Sequence, residues 1–168
     1  ESIRDPVVIG YMGSTSHLPD LEFIQPVLIN LLRRYGDRIL LRFWGVQPPL
    51  GLQDRRQVDW IPLNLPSYRQ FATYFMQQDC HVFLAPLTDN LFNRCKSPIK
   101  FLEYSALGIP GVYSRIAPYF GVVRQGENGF LATDLEEWER HLATLIESPT
   151  LRLKVGLGAQ RTAREHLL

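Results

Sequence analysis

The sequence predicts an α/β fold, a doubly wound parallel sheet with helices on both faces, and two observations predict it. Apolar runs of strand length alternate almost throughout with helical patterns. Those runs are apolar at nearly every position instead of alternating, as strands covered on both sides must be. In such folds ligands bind beyond the carboxyl ends of the strands, so the loops that follow strands are where function is sought.

Each element has its own signal. "VVIGYM", 7–12, is rich in β-branched residues and ends at Gly13 and a Ser-Thr-Ser cluster, which reads as a buried strand and a turn. A helix follows, with Leu21, Ile24, Val27, Leu28, Leu31 and Leu32 on one stripe, a kink expected at Pro26 and a stop at Gly36. "ILLRFWGV", 39–46, is a second strand, and the polar loop 47–57 leads to a short strand "VDWIPL" and a helix from Ser67 to about Gln78. "CHVFLAPL", 80–87, is another buried strand, followed by the loop "TDNLFNRCK". A helix opening at Ser97-Pro98 and stopped by Gly108 comes next, then strands "IPGVYS" and "GFLAT" and two helices from about 134. The post-strand loops 13–20, 47–57 and 88–97 are the candidates for a site.

The chain of 168 residues, 45% of them hydrophobic, suits one domain with a sizeable core. Eighteen Lys plus Arg against 17 Asp plus Glu leave a formal charge of +1, no broad field for a polyanion, and general nucleic-acid binding is disfavoured. Cys80 and Cys95 lack zinc-ligand spacing, and reduced thiols of a cytoplasmic protein are expected. No apolar run approaches the roughly 20 residues that cross a bilayer, so a soluble chain is expected. The first residue is not Met and the last lie in a helical pattern without a stop signal; part of a longer protein is expected.

Chemistry concentrates in "NRCKSPIKFLEYSALGIP", 93–110. Counted at ~100° per residue from Ile99, the apolar stripe of this helix holds Leu102, Ala106 and Leu107 with Glu103 inside it. A carboxylate docked there needs hydrogen-bond donors. Ser97 is expected to cap the helix and Pro98 to sit in its first turn, leaving the amides of Ile99 and Lys100 to face an anion flanked by Lys96 and Lys100. Phosphate at the helix tip and a ribose diol on Glu103 together describe a nucleotide. The alternative is a Lys100–Glu103 ion pair at i, i+3 with a solvated Lys96.

Glu103 with "YSALGIP" resembles the donor-binding motif of retaining glycosyltransferases of the GT-B fold, the group 1, family-4-like kind. That pattern has two glutamates before small-apolar-Gly-x-Pro; Cys95 occupies the position of the first, which leaves the sugar open. "VVIGYMGS", "CHVFLAPL" and "VVRQGENGFLAT" extend the resemblance over nearly the full chain, and "KSxxKxxEYxALGIP" is similar to a bacterial branch associated with surface polysaccharides. The resemblance implies a Rossmann-like C-terminal half of a GT-B enzyme that binds a nucleotide-sugar donor, with the acceptor site on an N-terminal domain outside this chain. It implies ribose binding by Glu103, leaving-group stabilisation by Lys96 and Lys100, and contacts to phosphate or sugar from Gly13, Ser14 and His17, with Cys95 at the usual sugar contact and Ser97 and Ile99 at the diphosphate; Asn93, in the loop after a strand end, either reaches the sugar or belongs to an ordinary turn. No metal and no cofactor are expected, since no Asp-x-Asp occurs and Asp134, Glu136 and Glu137 fall on a helix expected to be solvated.

Several residues keep two readings. His17 is either a ligand contact or an exposed imidazole at a hydroxyl-rich helix start; Trp60 either meets the nucleobase, with Tyr68 stacking, or belongs to the core. Arg152, Lys154, Arg161 and Arg164 form either a solvated face or a peripheral contact with the cytoplasmic membrane surface. For the whole chain, a non-catalytic nucleotide-binding module is the alternative to the enzyme. A receiver-like signalling domain is disfavoured because the first strand is not followed by the acidic pair a phospho-acceptor site needs.

Overall fold

The computed structural model describes residues 5–167. Six strands, β1 (Val7–Gly13), β2 (Ile39–Gly45), β3 (Val58–Ile61), β4 (Val82–Ala85), β5 (Gly111–Ser114) and β6 (Phe130–Ala132), form one parallel sheet. Their order is β3-β2-β1-β4-β5-β6. The chain therefore winds outward from β1 to β3, returns, and winds the other way from β4. The loops after β1 and β4 diverge to opposite faces, which opens a crevice at their carboxyl ends.

Helices α1 (Leu18–Tyr35), α2 (Tyr68–Phe75), α3 (Leu91–Arg94), α4 (Ile99–Ala106), α5 (Ala117–Phe120), α6 (Leu135–Glu147) and α7 (Pro149–Leu167) cover the sheet. On one face α1 and α6 pack Leu21, Ile24, Leu28, Trp138 and Leu142 against Ile9, Tyr11, Leu41, Phe43 and Val82. On the other, Phe75 of α2 and Phe101 and Tyr104 of α4 meet Met12, Trp44, Phe83 and Tyr113. Successive strand residues point to opposite faces, so a strand sandwiched this way is apolar on both. α1 runs unbroken through Pro26.

The buried face of α4 is Phe101, Tyr104 and Ser105, and Ala106 and Ile99 are exposed. The stripe counted from Ile99 is thus the wrong one. The aromatic residues take the sheet side because Tyr104 stacks on Phe83 at 3.9 Å between centroids and donates from its hydroxyl to the Leu84 carbonyl at 3.1 Å. Ser97 is not the cap either: Pro98 occupies the N-cap position with ψ 35°, and no side chain bonds the first amides. α3, four residues long, lies within the stretch expected to be a loop, and α5, equally short, lies between the strands "IPGVYS" and "GFLAT", where no element is expected. The basic stretch of α7 is not uniformly solvated, since Arg152 donates to the Leu145 and Ile146 carbonyls at the end of α6.

Two glycines fix the back of α4. Gly108 ends it with φ +71°, and Gly156 of α7 lies so close that a Cβ there would collide with the Gly108 carbonyl oxygen. Gly156→Val is expected to lower the free energy of unfolding by about 2 kcal/mol or more in urea denaturation. Gly121→Ala, with open space around it and φ −82°, should change it by less than about 0.5 kcal/mol. Equal effects would contradict this packing.

Candidate functional site

A cleft of about 720 Å³ opens at the carboxyl ends of β1 and β2. Gly13, Ser14 and Thr15 form one wall; Leu63, Leu65, Tyr68 and Phe71, from the β3–α2 connection and α2, form another. Glu103 closes it from α4. Its Oε2 is shielded from water yet has no hydrogen-bond partner among the described residues. Burial pushes the carboxyl above its usual range, against the pull of the Lys100 charge. An acceptor held dry and unpaired at the lip of an open cleft is chemically set to receive donors from a ligand.

Lys100 does not bridge to Glu103. Its ammonium donates to the Met12 carbonyl, at the end of β1, at 2.6 Å, and lies 5.2 Å from the centre of the Tyr11 ring. Burial depresses Lys100 to about 8, although Glu103 favours its charged form. The i, i+3 ion pair is therefore absent from the salt bridges among the described residues. One cation and one anion occupy the same edge of the crevice, each short of a full complement of partners.

Beside the cleft a second cavity of about 170 Å³ is lined by His17, Lys96, Ser97, Ile99, Lys100 and Tyr119. It lies at the start of α4, where unbonded amides and the helix dipole favour an anion. Lys96 reaches over the exposed Phe92 ring at 5.0 Å. His17 is anchored through Nδ1 to Asp20 Oδ2 at 3.3 Å. The site thus brings together Gly13, Ser14 and Glu103 around one cavity, and His17, Lys96, Ser97, Ile99 and Lys100 around the other.

Three expectations are corrected. Asn93 is 4% exposed, and its amide nitrogen is committed to Asp20 Oδ1 at 3.2 Å and the Thr88 carbonyl at 2.8 Å, so it braces the rim instead of reaching outward. Trp60 is neither core nor cleft wall: it is 44% exposed and donates from Nε1 to the Gly45 carbonyl at 3.0 Å. Cys95 is exposed at the end of α3 and lines neither cavity. Sequence reasoning passed over Asp20, whose partners Thr88 and Asn93 stand 68 and 73 positions away. Among the described residues no three His, Cys, Asp or Glu side chains are grouped as metal ligands, and no helix is long and apolar enough to cross a membrane.

The sequence model of the family described as "Glycosyl transferases group 1" matches residues 7–148. The C-terminal domain of a group 1 glycosyl transferase, LpcC from Francisella tularensis, superposes with TM-score 0.71 at 16% identity, covering 96% of this chain and 86% of that one. HepE from Anabaena, solved in complex with UDP and glucose, gives TM-score 0.69 at 18% identity over 98% of this chain and 45% of HepE. WaaG, a glycosyltransferase involved in lipopolysaccharide biosynthesis, gives 0.73 at 15% identity over 96% of this chain and 43% of WaaG. At these identities the likeness establishes the fold, and the chain spans less than half of HepE and of WaaG. No curated protein matches the sequence.

The buried ammonium makes a stability prediction. Between about 8 and the ordinary 10.5, the unfolded chain holds the Lys100 proton more tightly than the folded one, so this group makes stability rise with pH across that window. Urea denaturation at pH 7 and pH 9.5 should show the parent gaining on Lys100→Met as pH rises, by about 2 kcal/mol. Identical pH dependence in the two proteins would show that the ammonium is not under desolvation stress.

Proposed function

The chain belongs to the glycosyl transferases group 1 family, and from that premise we propose that it is the donor-binding half of a glycosyltransferase acting on a nucleoside diphosphate sugar. The observation that carries the reading is the Glu103 oxygen, dry and unpartnered at the lip of the cleft. A ribose presents two adjacent hydroxyls, which is the donor pair a carboxylate can accept together. One turn back along α4 lie the free amides and Lys100, and Lys96 flanks the helix start; this is suited to the diphosphate. The apolar wall with Tyr68 and Phe71 offers the base a flat contact surface.

Glycosyl transfer breaks the bond between the anomeric carbon and the diphosphate oxygen; the electron pair leaves with the diphosphate while an acceptor hydroxyl oxygen bonds to the carbon and gives up its proton to the departing diphosphate. The developing charge on the leaving phosphate is what a catalyst must stabilise. Helix amides and the two lysines can do this without a metal ion, and we read the transfer as metal-independent and, from the motif around Glu103, as proceeding with retention. The acceptor, in this reading a bacterial surface glycan, binds a further domain placed N-terminal to this chain; the match covers 45% of HepE and 43% of WaaG, which leaves length for such a domain. The exposed thiol of Cys95, at the position where the motif carries its first glutamate, favours a second reading, a binding module without transfer. A transfer assay on the protein joined to its further domain separates the two.

Because HepE is recorded with UDP, uridine diphosphate is the first probe. Calorimetry should show Glu103→Ala binding UDP at least about tenfold more weakly than the parent, the equivalent of ~1.4 kcal/mol. Lys100→Met should lose UDP affinity while keeping that for uridine. UDP binding unchanged in Glu103→Ala would remove Glu103 from the site and the reading with it.

A further inference from the structure

Resting on the donor-site reading, we propose that Asp20 is a positioning residue for the phosphate end of that site. It holds the His17 imidazole at the small cavity so that the ring joins the lysines in binding the diphosphate of the nucleotide. Asp20 stands in the first turn of α1 and is 3% exposed. Its two oxygens have separate tasks. Oδ1 accepts from the Thr88 amide at 2.8 Å, the Thr88 hydroxyl at 3.1 Å and Asn93 Nδ2 at 3.2 Å, which ties α1 to the loop after β4. Among the described residues Oδ2 meets only His17 Nδ1, at 3.3 Å.

A carboxylate with a purely structural task would need the first set alone. The second contact sets the chemistry of the ring. An acceptor facing Nδ1 requires the proton there, which fixes the ring's orientation and turns Nε2 away from Asp20. Burial raises the Asp20 carboxyl, but hydrogen bonds from His17 and Thr88 outweigh it and hold the group below the usual carboxylate range, so the charge is present to act. The ring is also confined from above. A methyl group on Gly13 would come within 3.1 Å of it and 2.8 Å of the Tyr11 hydroxyl. Tyr11 meets the ring edge-on at 6.4 Å between centroids. Held this way, His17 lines the same cavity as Lys96 and Lys100.

The test compares UDP with uridine, which lacks the diphosphate, in calorimetry on the parent, Asp20→Asn, His17→Ala and the double variant. Asp20→Asn keeps an oxygen for Thr88 and Asn93 and puts an NH₂ donor against Nδ1, so the ring loses its carboxylate partner while the rim keeps its ties. The expected result is UDP affinity lower by about fivefold or more in Asp20→Asn, uridine affinity unchanged, and no additional loss when Asp20→Asn is combined with His17→Ala. Equal weakening of uridine and UDP, a loss that persists in the His17→Ala background, or unchanged UDP affinity would each overturn the proposal. A parent chain that binds neither compound would instead overturn the donor-site reading, and this proposal with it. Should Asp20→Asn fail to fold, His17→Gln carries the test: a loss confined to UDP supports the role, and no loss overturns it.

Discussion

The bond from the Lys100 ammonium to the Met12 carbonyl is the contact on which the site's design depends. It fastens the first turn of α4 to the end of β1, and it turns the Lys100 ammonium away from Glu103. Had the two side chains paired, the carboxylate would be satisfied and the cleft would offer a ligand little beyond an apolar wall. Both groups are instead left under desolvation stress, the ammonium depressed to about 8 and the carboxyl raised. An arrangement of this kind works against stability in the free protein and in favour of a ligand that supplies hydroxyls to one group and negative charge to the other.

The strain is tolerable because α4 is held from three directions. Tyr104 stacks on Phe83 and bonds the Leu84 carbonyl beneath it, while α7 packs behind it with Gly156 against Gly108. At its other end Lys100 reaches β1. The strand order does the rest: with β1 and β4 adjacent and their following loops diverging, the crevice forms where the α4 N-terminus also lies. Asp20 closes the rim by joining α1 to the segment around Thr88 and Asn93. Fold and site are therefore consequences of the same few contacts.

Much of this was legible in the sequence, for identifiable reasons. Strands buried on both faces are contiguous apolar runs, and the long helices repeat their apolar residues over several turns, so β1, β2, β4, α1, α6 and α7 could be placed from pattern alone. One-turn helices such as α3 and α5 have no period to read. The short α4 misled for a related reason. Over eight residues two rival stripes fit, and aromatic stacking on Phe83, which no local pattern encodes, chose the one with Phe101 and Tyr104. Glu103 reached the cleft all the same, at the boundary of the buried face. The Ser97 cap failed because the chain at Pro98 already takes the capping position. Asp20 was illegible, since an acid in the first turn of a helix is common and its partners lie far along the chain. Asn93 was named for the site, but its amide nitrogen is bonded to Asp20 and Thr88 within the rim.

Glu103 stands dry and unpaired at the cleft, and in the proposed reading a nucleotide brings its donors. The direct measurement is a ¹³C titration of the Glu103 side-chain carboxyl by nuclear magnetic resonance, with and without saturating UDP. Hydrogen bonds from a bound diol stabilise the ionised form, so the account predicts a carboxyl that titrates above the ordinary glutamate range in the free protein and at distinctly lower pH in the complex. A carboxyl that titrates normally when free, or whose midpoint UDP leaves unmoved while binding is seen, would contradict it.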